Sequence, residues 1–142
     1  MTVELMKAVY ARLTSNDGGV PPDYNDFYDA VGGRVYALEG PANASFPLCI
    51  YNLESVDTNR FFDGRVQQIG SISIAVFGKA ESGPDSIVDI EKLLFLHLDE
   101  VNLTVADHDR GFVRGVTRGV PQIDDELIQI ESTFQIVATS TS

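Results

Sequence analysis

The sequence is short of most residues that carry chemistry. It has one cysteine, no tryptophan, two histidines and only 10 lysines and arginines in 142 residues. A single thiol excludes an intrachain disulfide. Cys49 stands inside the apolar run Phe46-Pro47-Leu48-Cys49-Ile50-Tyr51, where a buried small hydrophobe is expected. No apolar run approaches the roughly 20 residues of a membrane span. The start Met-Thr-Val-Glu-Leu-Met-Lys lacks the regions of a signal peptide. A soluble chain made in a reducing cytoplasm, with no membrane contact, is the expectation. The few bases stand against 21 acidic residues, for a net charge of −11 and a pI near 4.3. This balance argues against a free nucleic-acid binder and against docking on anionic lipid.

Catalytic signatures are missing too. There is no Walker lysine motif, GxGxxG, GxSxG or HExxH, and no EF-hand pattern of oxygen ligands. Acid–base and nucleophilic chemistry need convergent groups, so an enzyme here would rest on carboxylates alone. A non-enzyme without metal or cofactor is expected. His97, near a helix C-terminus, reads as a structural imidazole favoured by the helix dipole. Asp107-His108-Asp109 reads as a solvated acidic turn, because first-row metals draw ligands from several elements. Asp23, Asp26 and Asp29, spaced by three, read as a solvated acidic edge.

What is present is globular. Hydrophobic residues make up 44% and charged residues 22%, and the length suits one domain over 1–142. Leu5, Met6, Val9, Tyr10 and Leu13 form one helical stripe over 2–14, with Thr2 as N-cap. Asn16, Gly18 and Gly19 stop that helix, and Pro21-Pro22 extends the chain beyond it. A short helix over 24–31 ends at Gly32-Gly33. Strands are expected over 34–38, 46–55 and 66–77, the first three pairing antiparallel. A turn-rich connector covers 57–64. Ser82, Pro84 and Asp85 open a helix over 84–99, striped by Ile87, Ile90, Leu94 and Leu98. Strands over 112–118 and 126–138 are joined through 121–125, and a frayed polar tail begins near 139. The expected fold class is α+β: a single antiparallel or mixed sheet of about five strands, with two helices packed on one face.

The basic residues are the more informative charges. Arg110, Arg114 and Arg118 are spaced by four, which in a regular strand puts all three on one side of the sheet. They either pair across the hairpin with Asp124, Asp125, Glu126 or Glu131, or face an acidic neighbouring subunit or DNA. Arg60-Phe61-Phe62, set in a loop, either folds back on the core or forms an interface anchor. The glycines Gly111, Gly115 and Gly119 read as a twisted or bulged strand.

The segment order then resembles a family. Val31-Gly32-Gly33-Arg34-Val35-Tyr36 leads into a strand and is followed, after a loop, by Phe46-Pro47-Leu48-Cys49-Ile50-Tyr51. Then come the strand over 66–77, a helix after Gly83-Pro84, and a closing hairpin that ends near Gln135-Ile136-Val137. In this order and in these pieces the chain resembles the tail terminator, or tail completion, minor tail proteins of long-tailed bacteriophages. The resemblance implies an α+β virion subunit that forms a ring, commonly a hexamer. Such a ring caps the tail tube, ends its polymerisation and presents a joining surface to the head–neck connector proteins. It also implies that DNA passes through the lumen without specific binding, and a place in the virion tail after assembly in the host cytoplasm. Arg60, Phe61, Phe62, Arg110, Arg114 and Arg118 are the candidate interface residues. The alternatives are a neck or head-completion protein on the portal side, and a small carboxylate-dependent enzyme or metal-binding module.

Overall fold

The computed structural model describes residues 2–14, 26–41, 43 and 45–141. The expected helix stop and extended connector after Leu13 lie outside these residues. So do the side chains on which the Thr2 cap and the acidic edge of Asp23, Asp26 and Asp29 depend. The chain order is α1 (Thr2–Leu13), α2 (Asp26–Ala30), β1 (Val35–Ala37), β2 (Leu48–Arg60) and β3 (Arg65–Lys79). A 3-10 turn (Ala80–Ser82) then leads into α3 (Pro84–Leu98), β4 (Val101–Asn102), β5 (Arg110–Thr117), β6 (Gln122–Asp124) and β7 (Leu127–Thr141). The fold is α+β with one mixed sheet, in the order β1-β2-β3-β7-β5-β4, and β6 pairs with β7. The five expected strands are all present. The sheet has seven because Val101–Asn102 and Gln122–Asp124 add two short ones.

The centre of the sheet is the β3–β7 ladder, which runs without a shift from Arg65↔Thr141 to Lys79↔Leu127. Period-2 alternation along both strands separates two faces. Ile72, Ile74 and Val76 on β3, and Ile128, Ile130, Phe134, Ile136 and Ala138 on β7, are buried on the helix side. Leu5, Val9 and Leu13 of α1, with Ile87, Ile90, Leu94 and Leu98 of α3, cover them. Both long helices lie on this one face. A Cβ on Gly70 would stand 3.5 Å from Leu5, and one on Gly78 would stand 2.4 Å from Ile87. Met6 and Tyr10, expected on the buried stripe, lie at its margin, and Tyr10 is 47% exposed, with its ring 6.3 Å from that of Tyr51.

Several expectations are corrected. β1 and β2 pair parallel, not antiparallel, because the chain after Ala37 turns back through Leu38, whose φ is 69°, and re-enters at the same end of the sheet. On β2, Tyr51 and Leu53 pair with Ile74 and Ile72 and so share the helix face. The connector expected over 57–64 is strand as far as Arg60. Asp57, Thr58 and Asn59 favour turns locally, but pairing with Ile69, Gln68 and Gln67 overrides that preference. Thr58 Oγ1 donates to Gln68 Oε1 at 2.9 Å, which ties the side chains across the ladder as well. The expected frayed tail is also paired, since Thr139 and Ser140 sit opposite Gln67 and Val66. The last hairpin turns on Asp125 and Glu126 alone, with Asp125 at φ 58°. Gly83, not Ser82, is the N-cap of α3, with Pro84 and Asp85 in its first turn as expected.

α3 is tied at its C-terminal end by two links. At its C-terminus, Asp99 Oδ1 accepts the Gly115 N–H at 2.8 Å. His97 is fully buried and hydrogen-bonds through Nε2 to the carbonyl of Arg12, while Arg12 Nε donates to the His97 carbonyl at 3.0 Å. The imidazole is structural as expected, but through this reciprocal link between α1 and α3 as well as any dipole effect. The helix can lie this close because Gly78 and Gly115 have no side chain. At Gly115 a Cβ would meet the Phe95 ring at 2.4 Å.

Two outcomes follow. Gly78→Val forces Ile87 off its seat and should cost about 1–3 kcal/mol, read as a lower urea midpoint; an unchanged midpoint would contradict the close approach. Cys49 is buried, and burial pushes its thiol pKa up. In native protein it should react with a thiol reagent only on unfolding, and rapid native labelling would contradict its position.

Candidate assembly interface

Beyond Val56 and Gln68 the β2–β3 hairpin runs past the cover of the helices as an arm at the end of the sheet, with β7 still flanking β3 as far as Arg65 and the β2 edge and the turn left open. Every residue from Asp57 to Arg65 is exposed. Its tip is built rather than loose. Phe61 N–H donates to the Arg65 carbonyl at 2.9 Å, and Gly64 N–H to the Phe61 carbonyl at 3.1 Å. The Asp63 carboxylate accepts the Arg65 N–H at 3.1 Å and its Nε at 2.8 Å. The hydrogen bond from the Arg65 backbone, reinforced by the guanidinium, holds Asp63 below the usual carboxylate range. Arg65 lies 5.0 Å from the centre of the Phe61 ring. Phe62 has no such cover and stands wholly in solvent. Arg60, expected in a loop, is the last residue of β2, and Phe61 and Phe62 form the turn that follows.

The row of three arginines is broken. Arg110 and Arg114 lie opposite Thr139 and Gln135, so they share the open face of the sheet, away from the helices. Arg114 Nε donates to Gln135 Oε1 at 3.1 Å. The register then shifts between Gly115 and Thr117. One extra residue reverses which side the following side chains take, and Arg118 crosses to the helix side. There its Nε and Nη2 reach the two Glu91 oxygens at 2.8 and 2.7 Å, and its guanidinium lies 4.5 Å over the Phe95 ring. Hydrogen bonding to Glu91 raises the Arg118 pKa. None of the expected partners, Asp124, Asp125, Glu126 or Glu131, makes this contact. Arg118 therefore secures α3 to the sheet, and the shared arginine face reduces to Arg110 and Arg114.

Two surfaces were not legible as patterns. On the broken edge formed by β5 and β6, Val116, Val120 and Ile123 are 59–69% exposed. Their spacing fits no strand period, because the bulge and the break at 118–121 interrupt it. At the end of the sheet opposite the arm, Gly40, Pro41, Phe46, Leu48, Ile50, Phe77 and Leu127 line a cleft of about 210 Å³. A neighbouring cleft shares Phe46 and Leu127 and is lined besides by Lys79, Ala80, Glu81, Asp125 and Glu126. These residues come from four separated stretches, and only the sheet brings them together. No three of His, Cys, Asp and Glu are grouped to hold a metal ion among the described residues, and His108 Nδ1 is engaged by the Ala106 carbonyl at 2.8 Å.

No protein-family model and no curated protein matches the chain. Solved structures do. The fold is similar to that of a chain in the virion of a native gene transfer agent particle, with a TM-score of 0.77 and 16% identity over 96% of this chain and 95% of that one. A second solved chain, without a functional description, matches at a TM-score of 0.65 and 13% identity, over 97% and 95%.

The Arg118 contact is testable. Glu91 is 5% exposed, so Arg118→Ala leaves a buried carboxylate without its forked partner. It should lower unfolding stability by about 1–3 kcal/mol, the half-exposed guanidinium keeping the loss below that of a fully buried pair. Arg118→Lys, which keeps charge but loses the fork, should fall between. Equal denaturation curves for all three proteins would show that the pair does no structural work.

Proposed function

We propose that the chain is a virion structural subunit, not an enzyme, that assembles as a ring at the end of a phage-type tail tube. There it ends tube polymerisation and presents a joining surface to the head–neck connector. The observation that carries this reading is the similarity of fold to a virion chain, which extends over 96% of this chain and 95% of that one. The resemblance of the segment order to tail terminators narrows the virion role to the tail end. The surface fits the same role. A subunit that works alone covers its sheet edges and apolar tips, whereas a ring subunit leaves them for neighbours. Here the arm with Phe62, the edge with Val116, Val120 and Ile123, and the cleft around Phe46 all remain uncovered.

Charge gives the lumen its character. Each subunit brings a net −11 to the ring. Carboxylates facing an axial channel repel DNA phosphates, so DNA slides without tight contact. On this reading Arg110 and Arg114 belong to protein contacts rather than to the channel wall.

The test is direct. Purified protein added to growing tail tubes should stop their elongation, and electron microscopy should show a ring-shaped cap on one tube end. Tubes that grow on, with bare ends, would sink the tail-end reading; binding to the portal side of heads instead would replace it with a neck role.

A further inference from the structure

We infer that the arm of one copy docks in the apolar cleft of a second copy, head to tail, an inference that rests on the ring proposed above. The arm tip is an apolar knob with cationic shoulders. Phe62 is wholly exposed, Phe61 lies beneath Arg65, and Arg60 ends the strand. Asp63 is paired with Arg65, so Arg60 leaves the tip with a positive charge. The cleft has the matching character. Phe46, Leu48, Ile50, Phe77 and Leu127 supply an apolar hollow of about 210 Å³. Glu81, Asp125 and Glu126 stand in the adjoining hollow, beside Lys79, and leave that rim negative. A buried aromatic anchor inside an oppositely charged rim is the arrangement of an energetic centre in protein interfaces.

The two surfaces cannot meet within one molecule. They lie at opposite ends of the sheet, since Arg65 opens β3 and Phe77 stands near its end, a separation of about 40 Å along an extended strand. The contact must therefore join different copies. Knob and cleft are different patches, so the contact is heterologous, and repetition either closes a ring or continues as a filament. The hydrogen bonds of the tip hold it in shape before it docks, which limits the ordering cost of association.

Two single variants test the contact, Phe62→Cys and Leu127→Cys, mixed in equal amounts and oxidised; Cys49 is buried and stays out of the reaction. The mixed cross-link should dominate over both like pairs, and high salt should lower its yield. A random distribution, like pairs only, or no cross-link would overturn the inference. Phe62→Ser changes a fully exposed side chain, so it should fold as the native chain does, yet self-associate about 30-fold more weakly, the loss of one aromatic anchor. Undiminished association would also overturn it. A cap that forms equally well with Phe62→Ser keeps the ring and rejects this contact. Specific mixed cross-links without any cap keep the contact and reject the tail-end ring.

Discussion

The unbroken ladder between β3 and β7 is the constraint on which the rest of the structure depends. It joins Arg65 to Thr141 at one end and Lys79 to Leu127 at the other without a change of register. Because the side-chain period of a strand is two, an unshifted ladder of this length assigns every residue on both strands to one of two faces. The even positions form the floor on which α1 and α3 rest, and the odd positions form the open face. β2 and β5, the strands on either side, each carry one irregularity, at Leu53/Ser55 and at Gly115/Thr117. The flanks are where side chains change sides, and the centre is where they cannot.

The packing of α3 follows from that floor. Gly78 and Gly115 lower the sheet surface at two points, and Ile87 and Phe95 occupy the space. The chain then secures the helix with polar groups: Asp99 to the Gly115 backbone, Arg118 to Glu91, and the reciprocal link between Arg12 and His97. Two of the most chemistry-like residues in the sequence, a histidine and a clustered arginine, are thus committed to holding helices. A buried carboxylate or imidazole needs a partner, and both partners come from elements distant in sequence. What remains for contacts with other molecules is the arm, the interrupted edge, the cleft and the open face with Arg110 and Arg114.

Much of the fold was legible in the residues. The stripe Ile87, Ile90, Leu94, Leu98 and the alternation Ile128, Ile130, Phe134, Ile136 read correctly as helix and strand, because each pattern depends only on the period of its own element. The arm did not read correctly. Asp57-Thr58-Asn59 has turn composition, and it is strand only because β3 offers it a ladder. Arg118 departs from its sequence pattern for a related reason. The spacing Arg110, Arg114, Arg118 predicts one face for a regular strand, and a single bulge at Gly115/Thr117 reverses the last of them. The pair Phe61-Phe62 stands out beside Arg60 in the sequence itself, whereas the cleft has no local signal at all.

The sequence by itself determined the acidity, the burial of Cys49, the two long helices, the five main strands and the split into a helix-covered face and an open one. These properties depend on composition or on periodicity within one element. Tertiary structure alone decided that β1 runs parallel to β2, that the arm continues as strand to Arg60, that Arg118 serves α3, and that Phe46, Phe77 and Leu127 come together beside Glu81. Each of these depends on the register between strands far apart in the chain, and register is set by pairing energy summed over the whole ladder, which no local pattern of residues records.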